Sequence, residues 1–428
     1  MWRRSIYAIL LALPVQAGEF FTLEGHGGPI MGIAVAPDGQ IATASFDNSV
    51  GLWTNRVPRW FEGHDAAVNV ALFARDALYT GGDDFAVLQW DLETGVAEKI
   101  IQHQGKVMGL AMSRDNVLAT ASWDGTISLH RAANAIPLIL KGHTAGVNVV
   151  AFSTDGQTLY SASVDGTIRI WDVENGDQTA KLVQHGFGLN ELIVTDHWIA
   201  YGAVDGVTRI IDRNTGDNLH DFTLDRRPIL SMAYDATDGA LAVGDGEGFI
   251  MIIDTNNWRI AHDFRATVRG PIWALMFSTD GENLHAGGID DTMFSWPVKG
   301  FGSGRQMAEE PRSFLADPAT LPNGERQFKR KCSVCHSLSP NSKRRAGPSL
   351  HGIFGRRAGE LKDYPYSDIL AKSQIVWSDS TINALFDKGP DHYIPGSKMP
   401  MQRITQPQDR KDLITYLRHA TTTEGNLQ

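Results

Sequence analysis

Short runs in which apolar and polar residues alternate recur from Phe20 to Val298, separated by turn clusters of Gly, Asp, Asn, Ser and Thr. Alternation of period two places successive side chains on opposite faces, so each run predicts a strand with one buried side. The fullest stretch is LKGHTAGVNVVAFSTDGQTLYSASVDGTIRIWDVENG, Leu140–Gly176, with Gly142-His143, three alternating runs, an Asp165-Gly166 turn and Trp171-Asp172. Six residues before Trp171 stands Asp165, and the same offset recurs as Asp47/Trp53, Asp84/Trp90, Asp124/His130, Asp205/Ile211, Glu247/Ile253 and Asp290/Trp296. Successive acids lie 37, 40, 41, 40, 42 and 43 residues apart. Seven agreeing periods predict seven copies of one small antiparallel sheet.

A repeat of that length matches a four-stranded propeller blade, and the Gly-His, Asp and Trp-Asp positions resemble a WD40 repeat. The resemblance implies an all-β seven-bladed propeller over residues 18–298, and within each blade a hydrogen-bonded brace of the His, the Asp and the Trp. His26, His64 and His143 follow Gly, whereas His103 and His185 follow Gln. Ile211 and Ile253 replace the Trp in units five and six, and unit six has no matching His, so a full brace is not expected there. The last unit ends at its third strand, Asp291–Val298, and a lone strand, Glu19–Leu23, precedes the first Gly-His. Ring closure by that first strand fits both facts and removes two exposed sheet edges. One histidine per repeat is also better explained by the fold than by a metal, because the side chains stand on different blades. No stretch has the oxygen-ligand spacing of an EF-hand calcium loop.

Alternation stops after Val298. Residues 299–322 carry Gly, Ser, Pro and charges without periodicity and predict a linker. A helical period follows: Gly324–His336 with Phe328 on its apolar face, Ser380–Asp387, and Asp409–Ala420 with Leu413, Ile414, Tyr416 and Leu417. The chain has only two cysteines, Cys332 and Cys335, which excludes a disulfide scaffold and any Cys-rich metal site. Cys332-Ser333-Val334-Cys335-His336 is the c-type haem attachment signature. Two thiols about one turn apart can add to the two vinyl groups of a porphyrin, and the next imidazole then falls under the iron. A redox Cys-x-x-Cys would expect a βαβ setting, and a zinc site further Cys or His nearby; neither is present.

Residues 323–428 resemble an all-α class I cytochrome c of the mitochondrial or c2 type. The match continues through GPSLHGIFGRRAG (Gly347–Gly359), YPYSDILAKSQIVW (Tyr364–Trp377), YIPGSKMPMQRI (Tyr393–Ile404) and DRKDLITYL (Asp409–Leu417). The resemblance implies one covalent haem c on Cys332 and Cys335, with His336 and Met399 as iron ligands and Met401 as the rival to Met399. It gives the Pro348 carbonyl to the His336 ring N–H, and Arg356, Tyr366, Ser367 and Trp377 to the propionates. It also implies that the last helix packs on Gly324 and Phe328. Leu385 and Leu370 stand where the family commonly has Tyr and Asn, and one residue is inserted near Lys388-Gly389. The family's distal hydrogen-bond network is therefore not carried over. Lys329, Lys331, Lys343, Lys398 and Lys411 fit a basic ring around a haem edge that steers acidic redox partners.

Charge divides along the same boundary. From Leu321 onward there are 17 basic and 10 acidic residues, a balance of +7; the preceding part has 22 and 39, a balance of −17. A net charge of −10 argues against a nucleic-acid partner. Residues 1–17 read as a secretory signal peptide, with Arg3 and Arg4, an apolar run from Ile6 to Val15 and Val15-Gln16-Ala17 at the cleavage site; an uncleaved anchor is the alternative. The expected protein is exported to the periplasm and has no membrane span after cleavage. As a whole, the reading is an electron carrier whose propeller is a docking platform for protein partners. The alternatives are an oxidoreductase with its catalytic site on the propeller and the cytochrome as electron outlet, and a redox sensor.

Overall fold

The computed structural model describes residues 18–298 and 321–421, apart from Arg75, 132–135, 225–227, 268–269, Val334, 341–346, Asp363, Pro365, 395–398 and 400–402. The expected signal peptide, nearly all of the linker, Lys343, Lys398, Met401 and the Lys329 side chain lie outside the described residues.

Residues 21–297 form 28 strands, β1 to β28 in chain order, grouped into seven four-stranded antiparallel sheets. The first blade takes β2 to β5: Ile30–Val35, Ile41–Ser45, Ser49–Thr54 and Val57–Glu62. The last blade has the order β1-β28-β27-β26. In it β1 (Phe21–Glu24) pairs antiparallel with β28 (Thr292–Pro297), Phe21 opposite Ser295 and Glu24 opposite Thr292. The first strand of the chain thus completes the seventh blade as its outer strand and ties the two ends of the ring together.

Turn chemistry sets each blade's register. Asp165 accepts the Thr167 N–H at 3.0 Å, and Gly166 supplies the left-handed φ of +77° that the turn requires. The blades then pack face to face through their apolar sides. Leu52, Phe61, Leu78, Leu88 and Trp90, for example, share one buried cluster across blades one and two. Full burial of one such side chain contributes about 1.5–3 kcal/mol, so the interblade layers stabilise the ring substantially.

The brace is complete where the sequence carries all its members. His143 Nδ1 meets Asp165 at 2.9 Å, its Nε2 meets Ser161 Oγ at 2.7 Å, and Trp171 Nε1 donates to the same Oγ at 2.8 Å. Blades one and two repeat this through His26, Asp47, Thr43 and Trp53, and His64, Asp84, Thr80 and Trp90. Blade three has the His103, Asp124 and Thr120 part, but His130 occupies the Trp position and its Nε2 has no partner. In blade five Tyr201 stands at the hydroxyl position, and His185 turns Nε2 toward Asp205 at 3.2 Å. Blade six departs from the expected acid. Asp245, two residues before Glu247, is the buried turn acceptor and receives the Glu247 and Phe249 N–H groups, both at 2.9 Å.

Beyond the ring come α1 (Asn323–Lys331), α2 (Asp368–Ala371), α3 (Asp379–Lys388), α4 (Pro390–Tyr393) and α5 (Pro407–Ala420). The first helix stops short of the expected His336. Cys332 is its C-cap, and Ser333 N–H reaches back five residues to the Phe328 carbonyl, so the helical ladder is broken there. Ser378 and Thr381 form a capping box at the start of α3. The α1–α5 crossing depends on Gly324, where a Cβ would lie 2.1 Å from the Asp412 carbonyl oxygen. Phe328 packs beside Tyr416 at 5.6 Å between ring centres. Phe328, Leu385, Phe386, Leu413 and Leu417 belong to the small core that results. No helix among the described residues is long and apolar enough to cross a membrane.

Candidate functional site

The Cys-x-x-Cys-His segment leaves α1 as a tight turn. Cys335 and His336 both direct their N–H groups to the Cys332 carbonyl, at 3.1 and 2.8 Å. This holds the two cysteines and the imidazole on one side of the backbone, facing a cavity of about 600 Å³. Cys332 is buried, Cys335 is half-buried, and the two are not bridged to each other. Burial, with the neighbouring Cys335, pushes the Cys332 thiol pKa up to about 12.

His336 is fixed by its surroundings. Its ring N–H at Nδ1 donates to the Pro348 carbonyl at 2.8 Å, which leaves Nε2 as the atom with a free lone pair. Burial lowers the imidazole pKa, against the opposite pull of the Pro348 carbonyl. Gly347 lies flat on the ring: a Cβ there would sit 2.4 Å from Cε1. The Gly347 N–H donates to the Cys335 carbonyl at 2.8 Å and ties the Pro348 loop to the cysteine turn.

The cavity gathers the residues expected from sequence. Met399, Pro348, Arg356, Tyr366, Ser367 and Trp377 line it together with both cysteines and His336. Met399 also packs against the helical core. Arg356 has a second commitment. Its Nη1 and Nη2 donate to the carbonyls of His351 and Ser349 at 2.7 and 2.6 Å, stitching the loop that carries it. Ser367 Oγ is buried and has no hydrogen-bond partner. Such a hydroxyl costs about 1–3 kcal/mol unless a bound group satisfies it.

A group that fits must therefore be large and mostly apolar. It must accept a bond from a thioether or imidazole at one side and present an acceptor to Ser367 at another. A porphyrin iron with propionate carboxylates meets each requirement, and two unbridged cysteines suit covalent attachment to its vinyl carbons. Sequence reasoning passed over Tyr364, which lines the same cavity and packs edge to face on Tyr366 at 4.9 Å. Burial, with Tyr366 close by, raises its pKa to about 12 and keeps the phenol neutral.

Comparison with known proteins agrees with this geometry in both halves. Residues 19–54, 96–131 and 136–172 match the family "WD domain, G-beta repeat", and residues 321–421 match the family "Cytochrome c". Cytochrome c of Sesamum indicum is 39% identical over 108 residues, which is 25% of this chain and 95% of that protein. Cytochrome c of Theileria annulata is 42% identical over 106 residues, 25% of this chain and 88% of that protein. The crystal structure of the WD40 β-propeller domain of Doa1 superposes with a TM-score of 0.60 at 21% identity, over 65% of this chain and 96% of that one. That last likeness is one of fold alone. The chain joins a seven-bladed WD40-type propeller to a class I cytochrome c domain. By its C-terminal domain it belongs to the cytochrome c family.

Proposed function

We propose that this protein is a periplasmic electron carrier, with one haem c bound through thioethers to Cys332 and Cys335 and ligated by His336 and Met399. The observation that carries the reading is the single cavity that brings both cysteines, His336 and Met399 together around an unsatisfied Ser367 hydroxyl. When bound, the haem supplies reversible one-electron exchange between ferric and ferrous iron. The chain's residues set the terms of that exchange. Pro348 orients the imidazole and raises its basicity. Met399 offers a soft thioether, which favours the ferrous state. Ser367, Tyr366, Trp377 and Arg356 line the cavity and would hold the propionates, and its apolar lining would keep water from the haem.

With His336 and Met399 both as ligands the iron would have no open position for a substrate, which favours a carrier over a catalyst. The propeller is the platform on which redox partner proteins dock, and the basic residues of the cytochrome domain suit acidic partners. The basic and apolar residues of positions 1–17 support export.

Mass spectrometry and optical spectroscopy of protein from a cytochrome c-maturing host test the reading. The expected mature chain lacks residues 1–17, carries one covalent haem and has no free thiol. A polypeptide of apo mass, or a second chromophore on the propeller, would overturn it.

A further inference from the structure

The cytochrome domain does not close the haem-sized cavity by itself. Phe46, Asn48, Asp83, Phe85 and Lys106 of the propeller line the same space as Cys332, Cys335, His336 and Met399. Phe46 and Asn48 belong to the turn between the second and third strands of blade one, and Asp83 and Phe85 to the same turn of blade two. Lys106 precedes the inner strand of blade three and pairs with Asp83. All these residues belong to one face of the ring.

Phe85 is out of place by the rules of its own turn. The residue at this turn position is Asn48, Gly125, Gly166, Gly206 and Gly248 in five of the other six blades, each with positive φ, and Asp291 in blade seven. Phe85 has φ +68°, a left-handed conformation that Gly and Asn adopt readily and a bulky aromatic adopts only at a cost. The backbone gains nothing from it. Phe85 N–H donates to the Gly82 carbonyl at 3.2 Å, as Gly125 does to Ser122 at 3.2 Å and Gly166 to Ser163 at 3.0 Å. Nor does the propeller core need the ring, which is 38% exposed. Backbone strain held by an aromatic side chain that faces a functional cavity points to a role in that cavity.

We infer that this face of blades one to three is a built-in cap on the cytochrome domain of the same chain, with Phe85 closing the mouth of the haem cavity against external redox agents. The inference rests on the haem reading above. Opposite charge supports the pairing, since the propeller side of the chain carries −17 and the cytochrome side +7. The cap makes the propeller a gate as well as a platform: a small reductant reaches the haem only past Phe85, and a partner protein must move or replace the cap.

The test uses the full-length holoprotein and Phe85→Gly, which installs the residue the turn prefers and so preserves folding. Stopped-flow reduction of the ferric protein by ascorbate is expected to be several-fold faster in Phe85→Gly than its own measured potential accounts for, with the haem still low-spin. Val204→Ala, at an exposed position on blade five that does not line the cavity, is expected to react like the wild type. Amide resonances of residues 46–48 and 84–86 should also shift between ferric and ferrous wild type, while those of 204–206 should not. Equal rates in Phe85→Gly and wild type, or no redox-linked shift at 84–86, would overturn the cap. An absent haem spectrum in the wild type would instead sink the haem reading, so the two failures are distinct.

Discussion

The Pro348 carbonyl oxygen lies 2.8 Å from His336 Nδ1, twelve residues along the chain, with Gly347 pressed on the face of the imidazole between them. One loop therefore sets both the tautomer and the tilt of the proximal ring. A side chain at residue 347 would force the ring or the loop to move.

Gly347→Ala tests that relationship. Its methyl group would lie within 2.4–2.9 Å of three ring atoms, so the imidazole or the loop must move. Disturbing the orienting partner of a metal-ligating histidine costs roughly 10–100-fold in metal affinity or activity. Holoprotein yield, read from the ratio of haem absorbance to protein, should fall by about tenfold. A variant with normal yield and an unchanged low-spin spectrum would show that the ring is not held this way.

Met399→Ala and Met401→Ala separate the two candidate sulfur ligands. Loss of the thioether removes a ligand that favours ferrous iron, so Met399→Ala should lower the potential and let carbon monoxide or cyanide bind. Met401→Ala should leave potential and spectrum close to wild type. An exchange of these outcomes reassigns the ligand. Ready carbon monoxide binding by the wild type would remove the support for a pure carrier.

Propeller stability should fall as the solution is acidified from neutral, and His285 should account for part of the slope. Burial drives its pKa from 6.5 to about 4, with Asp280 opposing. The folded form thus binds a proton less readily than the unfolded chain. Stability is intact above 6.5 and declines until about 4, by roughly 3 kcal/mol for this group. His103, His130 and His143, also lowered chiefly by burial, act in the same direction. Urea unfolding of wild type and His285→Gln at pH 7 and pH 4 should show a shallower loss in the variant. A loss as steep as in the wild type would contradict the assignment.

Asp165→Ala and Asp205→Ala compare a complete brace with an incomplete one. Asp165 accepts bonds from His143, the Thr144 and Thr167 N–H groups and the Thr167 hydroxyl, which hold its pKa at about 2 against the effect of burial. Asp205 has His185 and one long bond from the Val207 N–H, at 3.3 Å. At about 1 kcal/mol per bond, Asp165→Ala should cost about 3–4 kcal/mol and Asp205→Ala about 1–2. Thermal unfolding of the two variants gives the order directly, and equal losses would mean that the brace does not act as a unit.

Much of this molecule was legible in the residues themselves. Seven recurrent acids at nearly fixed spacing, each in a strand-connecting turn, determine a ring of blades because local turn chemistry and alternation repeat without reference to anything distant. Cys332, Cys335 and His336 are equally local, since attachment to one porphyrin edge requires them within a few residues. Pro348 and Met399 were reached only by resemblance, because both lie in loops whose course no periodicity predicts. Three features came from tertiary structure alone. The end of α1 at Lys331 depends on a carbonyl bond five residues back, and the blade-six acceptor moves to Asp245 because burial, not spacing, selects the carboxylate. The position of Phe85 at the haem cavity depends on how two domains meet, and the sequence showed only a bulky residue in a turn where five of the other six blades have Gly or Asn. Local rules write themselves into neighbouring residues; contacts between distant parts of a chain leave no such pattern, and only the folded backbone brings them together.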